Sequence, residues 1–533
     1  MKLFWSRYRA IVLLVLSGAL SALPVVLPKL GFLQWVAMIP AILVLLNSAK
    51  DKSMRLKAIY GRGLMFFWAY YAVGFHWFFY MYPLDFAGLS NAASLVVVLF
   101  ACFGLSFLQA LFSAFVFVIV SAVCRFDPIV QRPYIVPFVS AATFVIAEWF
   151  QTIGWWGVPW SRLPLGQVEV PLLIRSASLF GSYFITFVIV GVNFCIACAI
   201  LNKKFSKILL SVAVSLFCLN LALGTLVTLT YKEEGESITV AAAQGNIPPD
   251  EKWDEDSLYN IINIYESLTV AASYNGATVV VWPETAIPYD LFTRPDIEWF
   301  VCDLAGENSV TILLPVFTGD EESDLFYNSI VEVRPDGKIG KNIYSKQRLV
   351  PFGEFVPMRE LITILVPPLA EVRMLEDDLL PGSESVVLET VNGNIGCGIC
   401  FDSIYEELIR ESVLNGAEVI AISTNDSWFS DSAALSMHNS QSVLRAVENG
   451  RYVVRSANTG ISSVIDPMGR VVDSLGANRE GYVLSEVYLR DDLTLYTHIG
   501  NLIVWLCIAF DSALLLILLY DKKKNQVNIN SVT

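Results

Sequence analysis

The chain has 533 residues, of which 55% are hydrophobic and 16% are charged. Soluble proteins carry roughly 25% charged residues, so the composition excludes a wholly soluble protein. The net charge of −14 argues against a nucleic-acid partner, because such partners favour a basic surface. The apolar bias is uneven: residues 1–231 are dominated by apolar runs, whereas residues 232–497 have the composition of a water-exposed domain.

An apolar segment of about 20 residues is long enough to cross a bilayer as a helix. By this measure residues 1–231 predict a membrane domain of seven spans, and an eighth span follows at 498–520. The predicted spans lie near 9–27, 31–48, 60–82, 90–123, 134–152, 170–201, 207–231 and 498–520. Residues 521–533 are then a short cytoplasmic tail.

Short loops rich in lysine and arginine mark the cytoplasmic side of a membrane protein. With the N-terminus inside, the loops 49–59, 124–133 and 202–206 fall on that side, and each carries such residues. The tail 521–533 agrees, since it contains three consecutive lysines. Seven spans therefore place residues 232–497 on the outer face of the membrane.

Residues 232–497 alternate between strand-type and helix-type patterns, which is typical of a mixed α/β enzyme domain. Helices are predicted over 257–272, 406–414 and 434–449. Strands are predicted over 238–244, 277–282, 310–317, 326–333, 338–344, 395–400, 417–423, 451–457, 461–466 and 481–487. The turn sequence Pro-Asp-Gly at 335–337 predicts a hairpin between two of them.

Three reactive side chains follow predicted strands. Glu284 can serve as a general base if apolar surroundings raise its pKa, and the ammonium of Lys346 can stabilise an oxyanion. Cys400 ends the strand 395–400, where the positive end of a following helix would stabilise a thiolate. Taken singly, each has a simpler interpretation: a solvated glutamate, a surface lysine and a small buried core residue. Together they are the nucleophile, base and stabiliser that acyl transfer through a thioester requires.

The strand before Cys400 carries two further signals. With a period of two residues, Gly396 and Gly398 share the face of Cys400, which leaves room for another group to approach. Cys397 and Cys400 form a C-x-x-C sequence, which is a redox pair only in a thioredoxin-like context. The three histidines of the chain are scattered and predict no zinc site.

In this order and these contexts, Glu284, Lys346 and Cys400 resemble the Glu-Lys-Cys triad of the nitrilase superfamily. With spans before and after the polar domain, nearly the whole chain resembles the membrane-embedded branch of that superfamily, the apolipoprotein N-acyltransferases. Further segments similar to the family are 148–149, 157–160, 180–193, 244–248, 282–284, 349–354, 425–429 and 445–451.

The resemblance implies a polytopic helical membrane domain joined to an αββα sandwich, in the bacterial inner membrane with the catalytic domain in the periplasm. It also implies a two-step transfer without metal or organic cofactor. Glu284 takes the thiol proton, Cys400 attacks an acyl ester of a membrane phospholipid, and Lys346 stabilises the oxyanion. The α-amine of the diacylglyceryl-modified N-terminal cysteine of an apolipoprotein then attacks the thioester.

The resemblance assigns further residues to the site. Glu354 corresponds to an additional acidic residue with a supporting role, and Trp253 and Trp428 are expected on the substrate-facing surface. The family usually has tyrosine and glutamate after the nucleophile, whereas this chain has Phe401 and Asp402. Phe401 lacks the hydroxyl and Asp402 is one methylene shorter, and both are predicted to support the site.

Segment 355–372 is apolar on both sides of a Pro-Pro pair at 367–368. It predicts either a mobile arm that dips into the membrane interface or a loop packed on the core of its own domain.

Two other functions fit parts of the sequence. A membrane-tethered amidase would use the same triad with water as the acceptor, although eight spans exceed what an anchor needs. A transporter or receptor would place ionisable residues along a path through its spans. Glu148 and His76 are the candidates for such a path, and they are few.

Overall fold

The computed structural model describes residues 2–84, 89–126, 129, 132–365 and 378–530. The chain divides into two compact units. The first contains Met1–His76, Leu99–Leu229 and Ile499–Thr533, and the second contains Trp77–Val98 and Thr230–His498. The predicted combination of a helical membrane part with an α/β part is confirmed.

The helices that precede the α/β part are mostly long and apolar. They are α1 Lys2–Val26, α2 Ile39–Lys50, α3 Leu56–Gly74, α4 Asn91–Leu99, α5 Leu105–Ser113, α6 Phe115–Cys124, α7 Val136–Trp149, α8 Pro171–Ile174, α9 Ala177–Phe180, α10 Ser182–Leu201 and α11 Ser206–Thr230. Within the described residues, six helical segments are long and apolar enough to cross a membrane: Tyr8–Val26, Pro28–Lys50, Asn91–Cys124, Ser182–Leu201, Lys203–Thr230 and Leu502–Tyr520.

The remaining predicted spans differ from the helices observed. The span near 60–82 overlaps α3, which begins earlier, at Leu56, and carries Lys57 and Arg62. The span near 134–152 contains α7, which has 14 residues. The span near 170–201 is not one helix. Its first half forms the short helices α8 and α9, and the chain turns at Gly181 with φ +75° before α10 begins. Glycine adopts this left-handed conformation without a side-chain clash, which the apolar run alone does not reveal.

Thirteen strands in the described part of the second unit form two sheets. The strands are β1 Ser237–Gln244, β2 Val279–Val281, β3 Ile287–Asp290, β4 Thr311–Gly319, β5 Phe326–Val333, β6 Ile339–Ser345, β7 Val387–Thr390, β8 Gly393–Ile399, β9 Val419–Thr424, β10 Val453–Ala457, β11 Ser462–Ile465, β12 Val471–Leu475 and β13 Gly481–Tyr488. The first sheet has the order β13-β1-β2-β4-β5-β6, with β3 beside β4, and the second has the order β12-β11-β10-β9-β8-β7.

Helices cover the outer faces of both sheets. The helices that follow β1 in the chain are α12 Pro249–Lys252, α13 Leu258–Tyr274, α14 Pro295–Asn308, α15 Arg359–Leu365, α16 Glu406–Leu414, α17 Ala434–Asn449, α18 Leu495–Ile499 and α19 Leu502–Asn530. The last of them, α19, belongs to the first unit. Apolar residues of α13 and α14 pack on the first sheet, while α16 and α17 pack on the second. Side chains such as Val281 and Ile399 fill the space between the sheets. The result is the predicted αββα sandwich.

The sequence analysis did not predict helix α14, the short helices α12, α15 and α18, or strands β3, β7 and β12. Helix α14 begins with a favourable Pro295 and acidic first turn, but only four of its 14 residues are buried apolar ones, so its periodicity is weak. Strands β3 and β7 have four residues each, and β12 is mostly exposed. Short or exposed strands lack the alternation that predicts them.

The predicted arm 355–372 lies partly outside the described residues, which end at 365 and resume at 378. Its described part includes α15, where Ile364 is exposed.

The glycines of β8 leave room for a helix. A Cβ at Gly396 would collide with Ser412 Oγ and lie 2.7 Å from Ala417 Cβ, and one at Gly398 would lie 3.2 Å from Ile409 Cδ1. Ser412 and Ile409 belong to α16, so the group that approaches this face is α16. Close packing of α16 on β8 fixes the strand that Cys400 directly follows.

We predict that Gly396→Ala lowers the free energy of unfolding by about 1–3 kcal/mol, because an added methyl group overpacks the contact with α16. The measurement is thermal unfolding of the detergent-solubilised protein. Gly476→Ala is the matched control, since a Cβ there meets no atom within 4 Å. Equal stability of the two variants would contradict this packing account.

Candidate active site

The site lies where several strands end at one edge of the sandwich. Strands β1, β2 and β4 are parallel, and β6 runs in the same direction because β5 is antiparallel to both β4 and β6. Residues that follow β2 and β6 therefore reach the same edge, and these include Glu284 and Lys346. In the second sheet, Cys400 follows β8 and Asn425 follows β9, which is parallel to β8. These two residues therefore lie at the same edge of that sheet.

An ammonium between two carboxylates forms the centre of the site. Lys346 Nζ donates to Glu284 Oε1 and to Glu354 Oε1, each at 2.8 Å. Asn328 Nδ2 donates to Glu284 Oε1 at 3.0 Å, and the backbone N–H of Asn425 donates to Glu284 Oε2 at 2.8 Å. The three charged side chains are almost wholly buried. The structure thus brings together Glu284, Lys346 and Glu354, which the sequence analysis predicts to support the site.

Burial and pairing set the charges of this network. Burial opposes ionisation of Glu284, but Lys346 and the hydrogen bonds prevail and hold the pKa of Glu284 below its ordinary value. Burial also opposes the charge of Lys346, and the two glutamates outweigh it, so the pKa of Lys346 is raised. The sequence analysis considers a raised pKa for Glu284; the direction is the opposite, because the apolar surroundings contain an ammonium.

Cys400 sits on a strained turn. Its φ is +49°, in the left-handed region that non-glycine residues seldom adopt and that clusters at functional sites. The turn Cys400–Ile404 separates β8 from α16. Cys400 therefore begins a short 3₁₀ helix, while α16, the helix predicted to stabilise the thiolate, starts only at Glu406. The effect of a helix end on the thiol stays a prediction.

The electrostatic surroundings of Cys400 favour the thiol at rest. Desolvation raises the pKa of Cys400, the Glu284 carboxylate raises it further, and Lys346 lowers it. A hydrogen bond with Thr424 also lowers the pKa. Cys397 points to the core between the sheets, as its place in the strand alternation requires. Both cysteines are free, and we assign no redox role to the pair.

Asp402 ties the cysteine turn to the lysine loop. Its Oδ1 accepts the backbone N–H groups of Gln347 and Arg348 at 3.2 and 2.8 Å. Its Oδ2 accepts Ile399 N at 3.1 Å and Tyr344 Oη at 2.9 Å. Burial raises the pKa of Asp402 to about 6 despite the opposing effects of Lys346 and of these bonds. The carboxylate therefore fixes the loop after β6 against the turn after β8.

A second buried network supports the backbone of Cys400. His438 Nδ1 lies 2.8 Å from Asp426 Oδ1, and its Nε2 lies 3.2 Å from the Cys400 carbonyl oxygen. Arg455 donates to Asp426 Oδ2 at 2.8 Å. Arg455 and His438 outweigh burial and hold the pKa of Asp426 low, whereas burial and Arg455 lower the pKa of His438.

This second network contains metal-ligand types. Ligand atoms of Cys400, Asp426 and His438 lie within 4.8 Å of one another. The carboxylate of Asp426 is already engaged by Arg455 and His438, and both ring nitrogens of His438 lie within hydrogen-bonding distance of protein atoms. We therefore interpret the group as a support for the cysteine turn.

The other predicted residues, Trp253, Trp428 and Phe401, are only partly buried. Trp253 follows α12, is partly exposed and stacks on Phe317 with ring centroids 6.4 Å apart. Trp428 is half-buried in the turn Ser427–Phe429 after β9. Phe401 is half-buried and meets the ring of Tyr405 edge-on at 5.5 Å.

Sequence reasoning missed Lys252, Asn328 and His438. Lys252 is buried and donates to the carbonyl oxygen of Glu284 at 2.7 Å. In the sequence it is indistinguishable from a surface lysine, and Asn328 is one polar residue within a strand. Lys252 follows β1, and Asn328 lies near the start of β5. These positions belong to the sheet edge that carries Glu284, and they were the one sign in the sequence that the two residues reach the site.

Comparison with known proteins supplies a family for this architecture. The model of the carbon-nitrogen hydrolase family matches residues 239–491. The model of the apolipoprotein N-acyltransferase N-terminal domain matches residues 17–195. One model thus covers most of the α/β part and the other covers most of the membrane helices before it.

Relatives match over nearly the whole chain. The apolipoprotein N-acyltransferase of Geobacter metallireducens is 31% identical, over 93% of this chain and 92% of that protein. The apolipoprotein N-acyltransferase of Allorhizobium ampelinum is 30% identical, over 89% of each chain. Among solved structures, Saccharomyces cerevisiae Nit3, a member of branch 10 of the nitrilase superfamily, is 21% identical with a TM-score of 0.36, over 48% of this chain and 92% of that one. The full-length relatives and the two family models place this chain in the apolipoprotein N-acyltransferase family.

Proposed function

We propose that this protein transfers an acyl chain from a membrane phospholipid, through a thioester at Cys400, to the α-amine of the N-terminal diacylglyceryl-cysteine of apolipoproteins. The observation that carries the proposal is the meeting of Cys400 with the buried Glu284–Lys346–Glu354 network at one edge of the sandwich. Both substrates are lipids, which fits a chain with six helices able to cross a membrane among its described residues.

The first half-reaction forms the thioester. As the sulfur of Cys400 attacks the ester carbonyl carbon, the carboxylate of Glu284 takes the thiol proton. Lys346, with a backbone N–H after the nucleophile, stabilises the negative charge that develops on the carbonyl oxygen. When the intermediate collapses, the ester C–O bond breaks and the departing lysophospholipid oxygen takes the proton from Glu284.

The second half-reaction uses the same groups in reverse. The neutral α-amine of the apolipoprotein attacks the thioester carbon and gives its proton to Glu284. The C–N bond forms, the C–S bond breaks, and the thiolate recovers the proton from Glu284. An amidase would place water where the amine attacks; the match of residues 17–195 to the N-acyltransferase membrane domain favours the amine.

The resting charges suit this sequence of steps. Glu284 is ionised at neutral pH because its pKa is held low, and Cys400 is a thiol because desolvation raises its pKa. The proton therefore moves as the carbon–sulfur bond forms, when charge passes to an oxygen near Lys346. Such positioned proton transfer contributes typically about 10²–10⁴-fold in rate.

The charged loops and the family support a location in the bacterial inner membrane with the catalytic domain in the periplasm. The inner membrane of a bacterium supplies the phospholipid, and an outward-facing catalytic domain meets exported apolipoproteins in the periplasm. In this proposal, Trp253 and Trp428 contact the lipid or the peptide substrate. The transporter alternative is weaker, because Glu148 is engaged by Leu163 N, Thr186 and Arg162 within the first unit.

We predict that Cys400→Ala abolishes acyl transfer to a diacylglyceryl-cysteine peptide, because no thioester can form. Cys397→Ala is the matched control: it removes a thiol three residues away, on the core side of the same strand. It is expected to retain most activity. Transfer by Cys400→Ala above the background without enzyme would contradict the proposal.

We predict that Glu284→Gln slows acyl transfer by about 10²–10⁴-fold, because the amide cannot accept the thiol proton. Glu332→Gln, which changes a buried carboxyl group on β5 outside the network, serves as the comparison. Single-turnover formation of the acyl-enzyme is the appropriate measurement. A rate equal to that of Glu332→Gln would exclude Glu284 as the base.

A further inference from the structure

Lys252 is a second buried ammonium at the site. It follows β1 at the end of α12, and only 3% of the residue is exposed. Because β1 is parallel to β2, Lys252 lies at the strand edge that also carries Glu284. Burying a lysine is unfavourable unless charged or polar groups compensate, so its position requires an explanation.

The contacts of Lys252 point to the site. Its Nζ donates to the carbonyl oxygen of Glu284 at 2.7 Å, and this is its single hydrogen bond within the described part of the chain. An ammonium has three N–H groups, so two remain for other acceptors. Nζ also lies 5.9 Å from the ring centre of Trp253. Lys252 thus contacts the backbone of Glu284, the proposed general base, and lies near Trp253, which is predicted to face the substrate.

Lys252 interacts electrostatically with the reacting groups. The negative charges of Glu284 and of a Cys400 thiolate favour its ammonium form, while Lys346 opposes it. Burial is the largest effect, and it lowers the pKa of Lys252 to about 8. At neutral pH the lysine remains mostly charged. Glu284 therefore faces two ammonium groups, Lys346 and Lys252.

Other titratable groups near Cys400 are already compensated. Asp426 raises the pKa of the thiol, but it is paired with Arg455 and with His438. Asp402 is hydrogen-bonded to three backbone N–H groups and to Tyr344. Removing the charge of Lys252 would leave Lys346 to balance Glu284, and an additional negative charge on sulfur would then be less favourable.

We propose that Lys252 is a positioning residue for the cysteine chemistry: its ammonium holds the Glu284 backbone and supplies the second positive charge that lets negative charge move from Glu284 to sulfur. The inference rests on the proposed function, in which Glu284 takes the proton of Cys400. The proton leaves sulfur and arrives on the carboxylate, so the total charge of the site is unchanged. Lys252 takes no proton in this step.

The test is the pH dependence of Cys400 alkylation by iodoacetamide in the full-length, detergent-solubilised protein. Tandem mass spectrometry assigns the adduct to Cys400 among the nine cysteines. In Lys252→Met the apparent pKa of alkylation is expected to rise by about one unit, which is about a tenfold loss of rate at pH 7. Lys252→Arg keeps the charge and is expected to react within about threefold of the unsubstituted protein.

Lys338→Met is the matched control, because this lysine is 73% exposed in the turn between β5 and β6. It is expected to leave the profile unchanged. A purely structural role for Lys252 would lower the melting temperature without moving the alkylation pKa. Should Lys252→Met not fold, Lys252→Gln, which keeps a donor for the Glu284 carbonyl, is measured in its place.

Failure of this inference and failure of the proposed function give different results. An unchanged alkylation profile in a folded, uncharged Lys252 variant overturns the inference while leaving Cys400 as the nucleophile. Loss of reactivity in Lys252→Arg equal to that in Lys252→Met also overturns it, since the charge would then not be the cause. A Cys400 that never reacts in the unsubstituted protein instead contradicts the proposed function.

Discussion

The position of Lys346 between Glu284 and Glu354 is the interaction on which the site depends. Three charges buried together are unfavourable unless each has partners at hydrogen-bonding distance, and removing one partner typically costs about 3–5 kcal/mol. Each carboxylate here accepts the ammonium and a backbone N–H, from Asn425 for Glu284 and from Val350 for Glu354. The loops after β2, β6 and β9 must therefore fold together.

The cysteine turn is held by separate means. Asp402 joins it to the lysine loop, and His438 with Asp426 and Arg455 supports its carbonyl from the second sheet. These contacts hold the turn in which Cys400 adopts its strained φ of +49°. Asp402 reaches all four of its donors in this chain, so the shorter acid still joins the two loops. Phe401 offers no hydroxyl, and its ring packs against Tyr405.

The sequence predicts well where one physical signal dominates. Helices α16 and α17 were predicted with the bounds observed, because α16 shows clear apolar spacing and α17 ends at a glycine with φ +63°. Buried strands such as β5 were predicted for similar reasons. Helix α14 and the break at Gly181 were missed, since a weakly amphipathic helix and a kinked apolar run leave little trace in composition.

The sequence is equally limited in predicting the residues of the site. Glu284, Lys346 and Cys400 were predicted because each follows a strand, carries a reactive group and matches the family's pattern, and their catalytic roles stay predictions. Lys252 and His438 were not, because a buried lysine or histidine looks like an exposed one until the fold brings distant segments together. The direction of the Glu284 pKa was wrong for a related reason: it depends on Lys346, which is 62 residues away in the chain.

The central claim is that Cys400 carries the acyl group, and intact-protein mass tests it most directly. The purified protein is incubated with phospholipid in the absence of an apolipoprotein acceptor, so that the intermediate accumulates. The account predicts a mass increase of one acyl chain, removed by hydroxylamine and assigned to Cys400 by fragmentation. Acyl transfer to an added apolipoprotein without any such adduct under single-turnover conditions, or an adduct on another residue, would contradict it.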